Sequence, residues 1–379
     1  MEELEAEDAM IDILISANDT AYNFNVKSTL ILSIVVTTIN QFFIFLTSYL
    51  LLRRIIKLRN PLQLYIQNIV FCNFFVTGGH LMGAVHNLVW YDPTAPFYNG
   101  HTDQLCIFQS IFTTYANLAT FFWMMMIEWS ACRLMLNKPA PLKRGSWFLH
   151  LLCWLIPAFI VSFAVVNNVL GEDLKLSGPG YCWIRHDKNW LHHLFWGLLT
   201  AKAWELIAIF STVNFYFYYF CFFKRRTADN TFDVLLSSGN ERTAEVGNDV
   251  NMKESESEQR DLLWECRGLA LLPLNLMVVR IWGTTRFWID ISIDANSNLE
   301  SMEYASLVLL HFQSIGDSSL PFFNFVLLAI VKWTQMTEAY PWLKHFRPCQ
   351  WLGRRDSDSL LLLSNSHQSS GSRRSLFSL

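Results

Sequence analysis

Predominantly apolar stretches alternate with polar ones along the whole chain, at Ser28–Leu52, Leu62–Val85, Cys106–Cys132, Trp147–Val166, His192–Phe223, Leu263–Ile289 and Tyr304–Val331. Each reaches the roughly 20 residues that a helix needs to cross the hydrocarbon core of a bilayer. Inside hydrocarbon a segment must satisfy its own backbone N–H and C=O groups, and a helix does so. The pattern therefore predicts an all-α fold, a seven-transmembrane helix bundle over 28–332. A polar arm precedes it at 1–27 and a tail follows at 333–379.

Charge sorts the connections into two sides. Basic residues gather in alternate loops: Arg53, Arg54, Lys57 and Arg59; Arg133, Lys138, Lys143 and Arg144; then Lys224, Arg225 and Arg226. The tail adds Lys332, Lys344, Arg347, Arg354 and Arg355. The other loops are acidic or balanced, with Asp92 and Asp103, with Glu172 and Asp173 against Lys175, and with Asp290, Asp294, Glu300 and Glu303. By the positive-inside rule the N-terminus is then outside and the C-terminus in the cytosol. Composition agrees: only 16% of the 379 residues are charged, against about a quarter in soluble domains. The net charge of −3 says little, because charge is segregated by side, and it gives no reason to expect a nucleic-acid partner. Met1–Asp8 is acidic where a signal peptide has a basic region, so the first span is expected to serve as its own insertion signal.

Three polar segments carry candidate modification sites. The arm holds the sequon Asn18-Asp19-Thr20, placed outside by this topology and close to the first span. The long cytosolic loop at 224–262 is rich in Ser, Asn and Glu, and it reads as disordered between helical extensions of spans five and six. In the tail, Tyr340–Phe346 has the composition of a short helix lying on the inner leaflet. Cys349 beside it is a palmitoylation candidate. Arg354-Arg355-Asp356-Ser357 is a basic-directed kinase pattern, which makes Ser357 a phosphorylation candidate. Added negative charge on this Ser-rich tail would suit an arrestin-like partner.

Of eight cysteines, only Cys106 and Cys182 fall on the outer, oxidising side, which favours a disulfide over two free thiols. Ionisable residues within spans are costly and mark sites. Lys202 and Glu205 lie three residues apart on one face of span five, with Arg280 and Arg286 in span six and His311 and Asp317 in span seven. Two readings of this set stand side by side: the floor of a ligand pocket or switch, and a static network that fixes helix register. Glu128 and Arg133, at the cytosolic end of span three, read as solvated boundary residues. Pro157, Pro273 and Pro321 are expected to kink spans four, six and seven.

Other functions fit less well. His80, His150, His192, His193 and His311 do not fall at metal-ligand spacing, which speaks against a membrane hydrolase, and no cofactor is expected. A retinal-type pigment needs a lysine midway along the last span, where none stands. A channel or transporter that uses the buried charges as a path is the main alternative.

Several runs carry a family resemblance. They are Thr114-Tyr115-Ala116-Asn117 and Phe121-Phe122-Trp123 in span three, and Cys182-Trp183-Ile184 in the outer loop. Leu198–Glu205 in span five, Arg280–Phe287 in span six and Leu309-Leu310-His311 in span seven complete the set. With the seven spans and the outer cysteine pair, they resemble the G-protein-coupled receptors, in the class that includes the slime-mould cyclic-AMP receptors. The rhodopsin-like signatures are absent. The exit of span three, Ile127–Cys132, departs from the family's apolar and tyrosine-rich run. The resemblance implies a non-enzymatic receptor with an unidentified extracellular ligand. It further implies a heterotrimeric G protein as partner, of the Gq type acting on phospholipase C, and residence in the plasma membrane or its ciliary part.

Overall fold

A computed structural model describes residues 28–58, 62–90, 104–135, 147–172, 182–185, 189–237, 271–295 and 302–340. The helices are α1 (Ser28–Leu52), α2 (Leu62–Trp90), α3 (Gln104–Met135), α4 (Trp147–Val166), α5 (Trp190–Gly197), α6 (Ala203–Ser237), α7 (Leu271–Ala295), α8 (Glu303–Val331) and α9 (Trp333–Ala339). Two three-residue strands, β1 (Leu170–Glu172) and β2 (Cys182–Ile184), pair antiparallel with Gly171 opposite Trp183. The bundle ends at Val331; of the separate body that begins at Lys332, only α9 and its flanks are described.

Among the described residues, six helical stretches are long and apolar enough to cross a membrane: Ser28–Leu52, Leu62–Val89, Gln104–Arg133, Trp147–Val166, Trp190–Tyr218 and Tyr304–Val331. The remaining expected span is α7, whose Arg280, Arg286, Asp290 and Asp294 keep its composition below that mark. It is shifted toward Ala295 from the expected Leu263–Ile289, and residues 263–270 lie outside the described residues. The chain is thus a predominantly helical, multi-pass membrane protein.

The polarity of the helices is inverted relative to a soluble core. In α1, Thr29, Ser33, Thr37, Asn40 and Thr47 are buried, while Ile31, Val35, Ile39, Phe42, Phe45 and Tyr49 are exposed. The buried set recurs every three to four residues, so one helix face is polar and turned inward. The hydroxyls are satisfied locally. Thr37, Thr47, Thr77, Thr113, Thr120 and Thr200 each donate to the carbonyl four residues earlier, so they can sit at helix interfaces without an unmet donor.

Proline in α8 creates a need that α1 meets. Pro321 disturbs the local hydrogen-bond ladder of that helix, and the next backbone N–H, at Phe322, donates to the Asn40 Oδ1 at 3.0 Å. Close approach between α7 and α8 rests on Gly316, where an added Cβ would overlap the Val279 carbonyl oxygen. Small residues at such crossings let backbones meet when lipid supplies no hydrophobic drive.

The fifth span is interrupted by a π-helical turn, Leu198–Lys202, between α5 and α6. The buried positions leading into it are His193, Trp196, Gly197 and, within the turn, Thr200; from its last residue onward they are Lys202, Glu205, Ala208, Thr212 and Phe215. An unbroken helix would carry the inward face on to Trp204, Ile207 and Ser211. The extra residue in the turn rotates everything downstream by about 100°, which brings Lys202 and Glu205 inside and leaves Ile207 exposed. Asn189 starts this span by accepting the Leu191 N–H at 3.1 Å.

Cys106 at the start of α3 is bonded to Cys182 in β2, with the Cα atoms 5.3 Å apart. The bridge fixes the hairpin against α3, and Trp183 beside it reaches the Phe287 ring of α7, centroids 5.9 Å apart.

Two outcomes are expected. Gly316→Val should lower the melting temperature in detergent, by an overpacking cost of about 1–3 kcal/mol; a melting curve equal to that of the unaltered chain would refute the close α7–α8 approach. Cys106→Ser and Cys182→Ser should each reduce surface expression, and the double variant should be no worse than either single one. Unchanged expression would argue against the bridge.

Candidate functional site

Beneath the hairpin lies a cavity of about 80 Å³, bounded by α2, α3, β2, the fifth span, α7 and α8. Its walls mix polar and charged groups (His80, Thr113, Thr114, Asn117, Lys202, Glu205, Arg280, Gln313 and Asp317) with the apolar Phe121, Trp183, Ala201 and Phe287.

Two ion pairs sit in the wall. The Lys202 ammonium lies 3.0 Å from the Glu205 Oε2 and donates to the Thr284 Oγ1 at 3.3 Å. The Thr284 hydroxyl in turn donates to the Glu205 Oε1. The Lys202 Nζ also stands 6.0 Å from the centre of the Phe287 ring. The Arg280 Nη1 lies 3.3 Å from the Asp317 Oδ1, and its Nη2 donates to the Asn117 side chain. Gln313 links this pair to a third: its amide donates to the Asp317 Oδ2 at 3.1 Å and its carbonyl accepts from the Arg286 Nη1 at 3.1 Å. Arg286 faces Asp290 at 3.4 Å, and Ser306 bonds both. Burying an ion alone is costly, so these charges are tolerated because each has a counter-ion and hydrogen bonds.

Five of the six expected intramembrane residues thus fall into two networks, Lys202 with Glu205, and Arg280 and Asp317 linked through Gln313 to Arg286. His311 joins neither. Its Nδ1 donates to the Leu307 carbonyl, which leaves Nε2 to accept from the Thr29 hydroxyl of α1 at 3.0 Å. Asp290, expected in an outer loop, is instead a buried residue of α7; its position four residues after Arg286 was the available signal. Asn117, Thr284 and Gln313 were not singled out, because neutral residues in a span look like ordinary packing until their neighbours are known. Asn18, Cys349 and Ser357 lie outside the described residues.

Glu128 corrects the expectation of a solvated boundary residue. It is 3% exposed, accepting hydrogen bonds from Ser211 and Thr212 of α6. The helix α3 runs on to Met135, so Glu128 stands nearly two turns inside its end. Two adjacent hydroxyls across the interface replace the water that the carboxylate was expected to need. Arg133, by contrast, is half-buried with its guanidinium 5.6 Å from the Trp129 ring.

Fold and site together define a multi-pass helical bundle, receptor-like in architecture, with a disulfide-pinned hairpin over a charge-balanced cavity. By sequence the chain is similar to G-protein coupled receptor 157 of Homo sapiens, 28% identical over 188 residues, which are 48% of this chain and 50% of that protein. It is likewise similar to the G-protein coupled receptor 157 of Mus musculus, 27% identical over 187 residues, 48% of this chain and 51% of that one. The chain spans about half the length of the curated relatives it matches. No family model matches it.

Glu128→Ala should leave the half-buried Ser211 hydroxyl without its acceptor and return Thr212 to the Ala208 carbonyl alone, at a cost of about 1–3 kcal/mol. Glu128→Gln, which keeps an acceptor oxygen, should lose less. Melting curves of both variants decide this, and an alanine variant as stable as the unaltered chain would show that the carboxylate is dispensable there.

Proposed function

We propose that this chain is a G-protein-coupled receptor of the plasma membrane, with the hairpin end outside and the opposite end facing the cytosol. An extracellular ligand enters the cavity under the hairpin and favours one of two bundle arrangements; a heterotrimeric G protein reads that arrangement at the basic cytosolic loops. The observation that carries this reading is the cavity itself, where Thr284 ties the Lys202–Glu205 pair of the fifth span to α7, the Arg280–Asp317 pair ties α7 to α8, and Asn117 brings in α3. A ligand that alters one pair changes the balance of forces on several helices at once. The similarity to receptors named for G-protein coupling supports the partner. Coupling of the Gq type is the preference we assign, and the Ser-rich tail is the place for an arrestin-like protein.

The test is nucleotide exchange on a panel of G-protein α subunits, with the full chain in cell membranes beside a Lys202→Met/Glu205→Gln variant. Exchange on a Gq-type subunit, altered in the variant, is the expected result. No exchange on any subunit, together with an ionic current across the same membranes, would replace the receptor by a channel or transporter. In the second pair, Arg280→Gln alone should strand the buried Asp317 charge and lower both surface expression and exchange. Adding Asp317→Asn should recover expression. Equal expression in all three would mean that the pair carries no structural load.

A further inference from the structure

The receptor reading calls for a second arrangement of the bundle, and α8 carries the trace of one. Asn324 has both ends of its carboxamide buried, and among the described residues neither its Nδ2 nor its Oδ1 has a hydrogen-bond partner. In hydrocarbon an unmet amide is among the costliest of neutral groups. Asn324 lines a second, smaller cavity of about 20 Å³, together with Thr47 of α1 and Asn73 of α2. The Thr47 hydroxyl is committed to the Phe43 carbonyl. Asn73 is 4% exposed, and its side chain makes no hydrogen bond among the described residues. The cavity has room for about one water, yet the surface it presents is almost wholly apolar, so water gains little there. Two amides thus line one void without meeting, and only a movement of the protein can satisfy them.

The helix that carries Asn324 is built to yield just above it. Pro321 has no N–H, so the Asp317 carbonyl lacks its donor four residues on. The next N–H, at Phe322, is taken by Asn40 of α1. The ladder of α8 is therefore weakened between the charged wall and Asn324. Phe43 of α1 packs on both Phe322 and Phe325, with ring centroids 5.0 Å from each, and so offers a pivot. Asp317 and Asn324, seven residues and about 10 Å apart, lie on one face of the helix. We infer that α8 turns about Pro321 between two arrangements, and that in the second the Asn324 carboxamide closes on that of Asn73. Each amide has a donor and an acceptor, so one pairing meets both residues at once. The turn of α8 that carries Asn324 follows the one that carries Asp317, so a ligand that shifts Asp317 acts on the same hinge. This deepens the receptor reading and rests on it only for the consequence in signalling; the motion itself does not require it.

The experiment is fluorine magnetic resonance of the full-length chain in lipid nanodiscs, with p-trifluoromethylphenylalanine in place of Phe323. That ring is exposed toward lipid just past Pro321, so it reports the turn without disturbing the packing. Saturation transfer, which detects a sparse state in slow exchange, should reveal a second line. Asn324→Leu and Asn73→Leu should each cut the second population about fivefold or more, and the double variant should cut it no further. Asn324→Leu should also raise the melting temperature, by about 2–5 °C, because it removes a buried amide that nothing meets. The inference is overturned if no second line appears, if the line persists undiminished in both leucine variants, or if Asn324→Leu melts lower than the unaltered chain. Nucleotide exchange separates this motion from the receptor reading. A second line that behaves as expected, in a chain that drives no exchange on any subunit, would uphold the motion and sink the receptor. Exchange by a chain that shows no second line would sink the motion alone.

Discussion

Hydrocarbon offers no hydrogen bonds, and the rest of this structure follows from that constraint. Polar groups have to find partners within the protein, so the helices turn their hydroxyls, amides and charges toward one another and their Phe, Ile and Val side chains toward lipid. The same constraint explains details that look unrelated. Asn40 of α1 takes the backbone N–H at Phe322, just after a proline that disturbs the helical ladder. Ser211 and Thr212 take in a carboxylate, Glu128, that would otherwise have to reach water.

The charged wall is where the constraint is most demanding. Lys202, Glu205 and Thr284 form a closed triangle of contacts, and Arg280, Asp317, Gln313 and Arg286 form a chain beside it. Within each network, neutralising one charged member leaves its buried counter-ion unpaired. The aromatic roof made by Trp183 and Phe287, held in place through the Cys106–Cys182 bridge, covers the wall. Helices α3 and α6 also meet at Glu128, eleven residues and about 16 Å along α3 from Asn117. The two polar contacts have α3 in common, Asn117 joining it to Arg280 of α7 and Glu128 joining it to α6.

The spans, the fold class and the costly residues were legible in the chain. Apolar length alone marks a transmembrane helix, because the bilayer sets one thickness for all of them. An ion within such a stretch stands out, because hydrocarbon penalises it whatever its neighbours are. That is why Lys202, Glu205, Arg280, Arg286 and Asp317 could be picked out one by one. The cysteine pair was legible for a similar reason: the expected topology placed only two thiols, Cys106 and Cys182, in the same set of loops, and they are bonded.

Which residues meet was not legible, since hydropathy carries no information about rotation. The π-helical turn at Leu198–Lys202 turns the lower part of the fifth span by one residue, and an average over a window of residues cannot register so small a shift. Without it the Lys202–Glu205 pair would face a different neighbour. His311 was costly in the same way as the others, yet it pairs with Thr29 of α1 and stands apart from them. Glu128 was misjudged because the donors that bury it come from another helix. The chain by itself determined that the fold is a bundle of membrane-spanning helices and which side chains need a partner, since both follow from local cost in hydrocarbon. Only the tertiary structure decided who the partners are, because that depends on the angle and register at which separate helices pack.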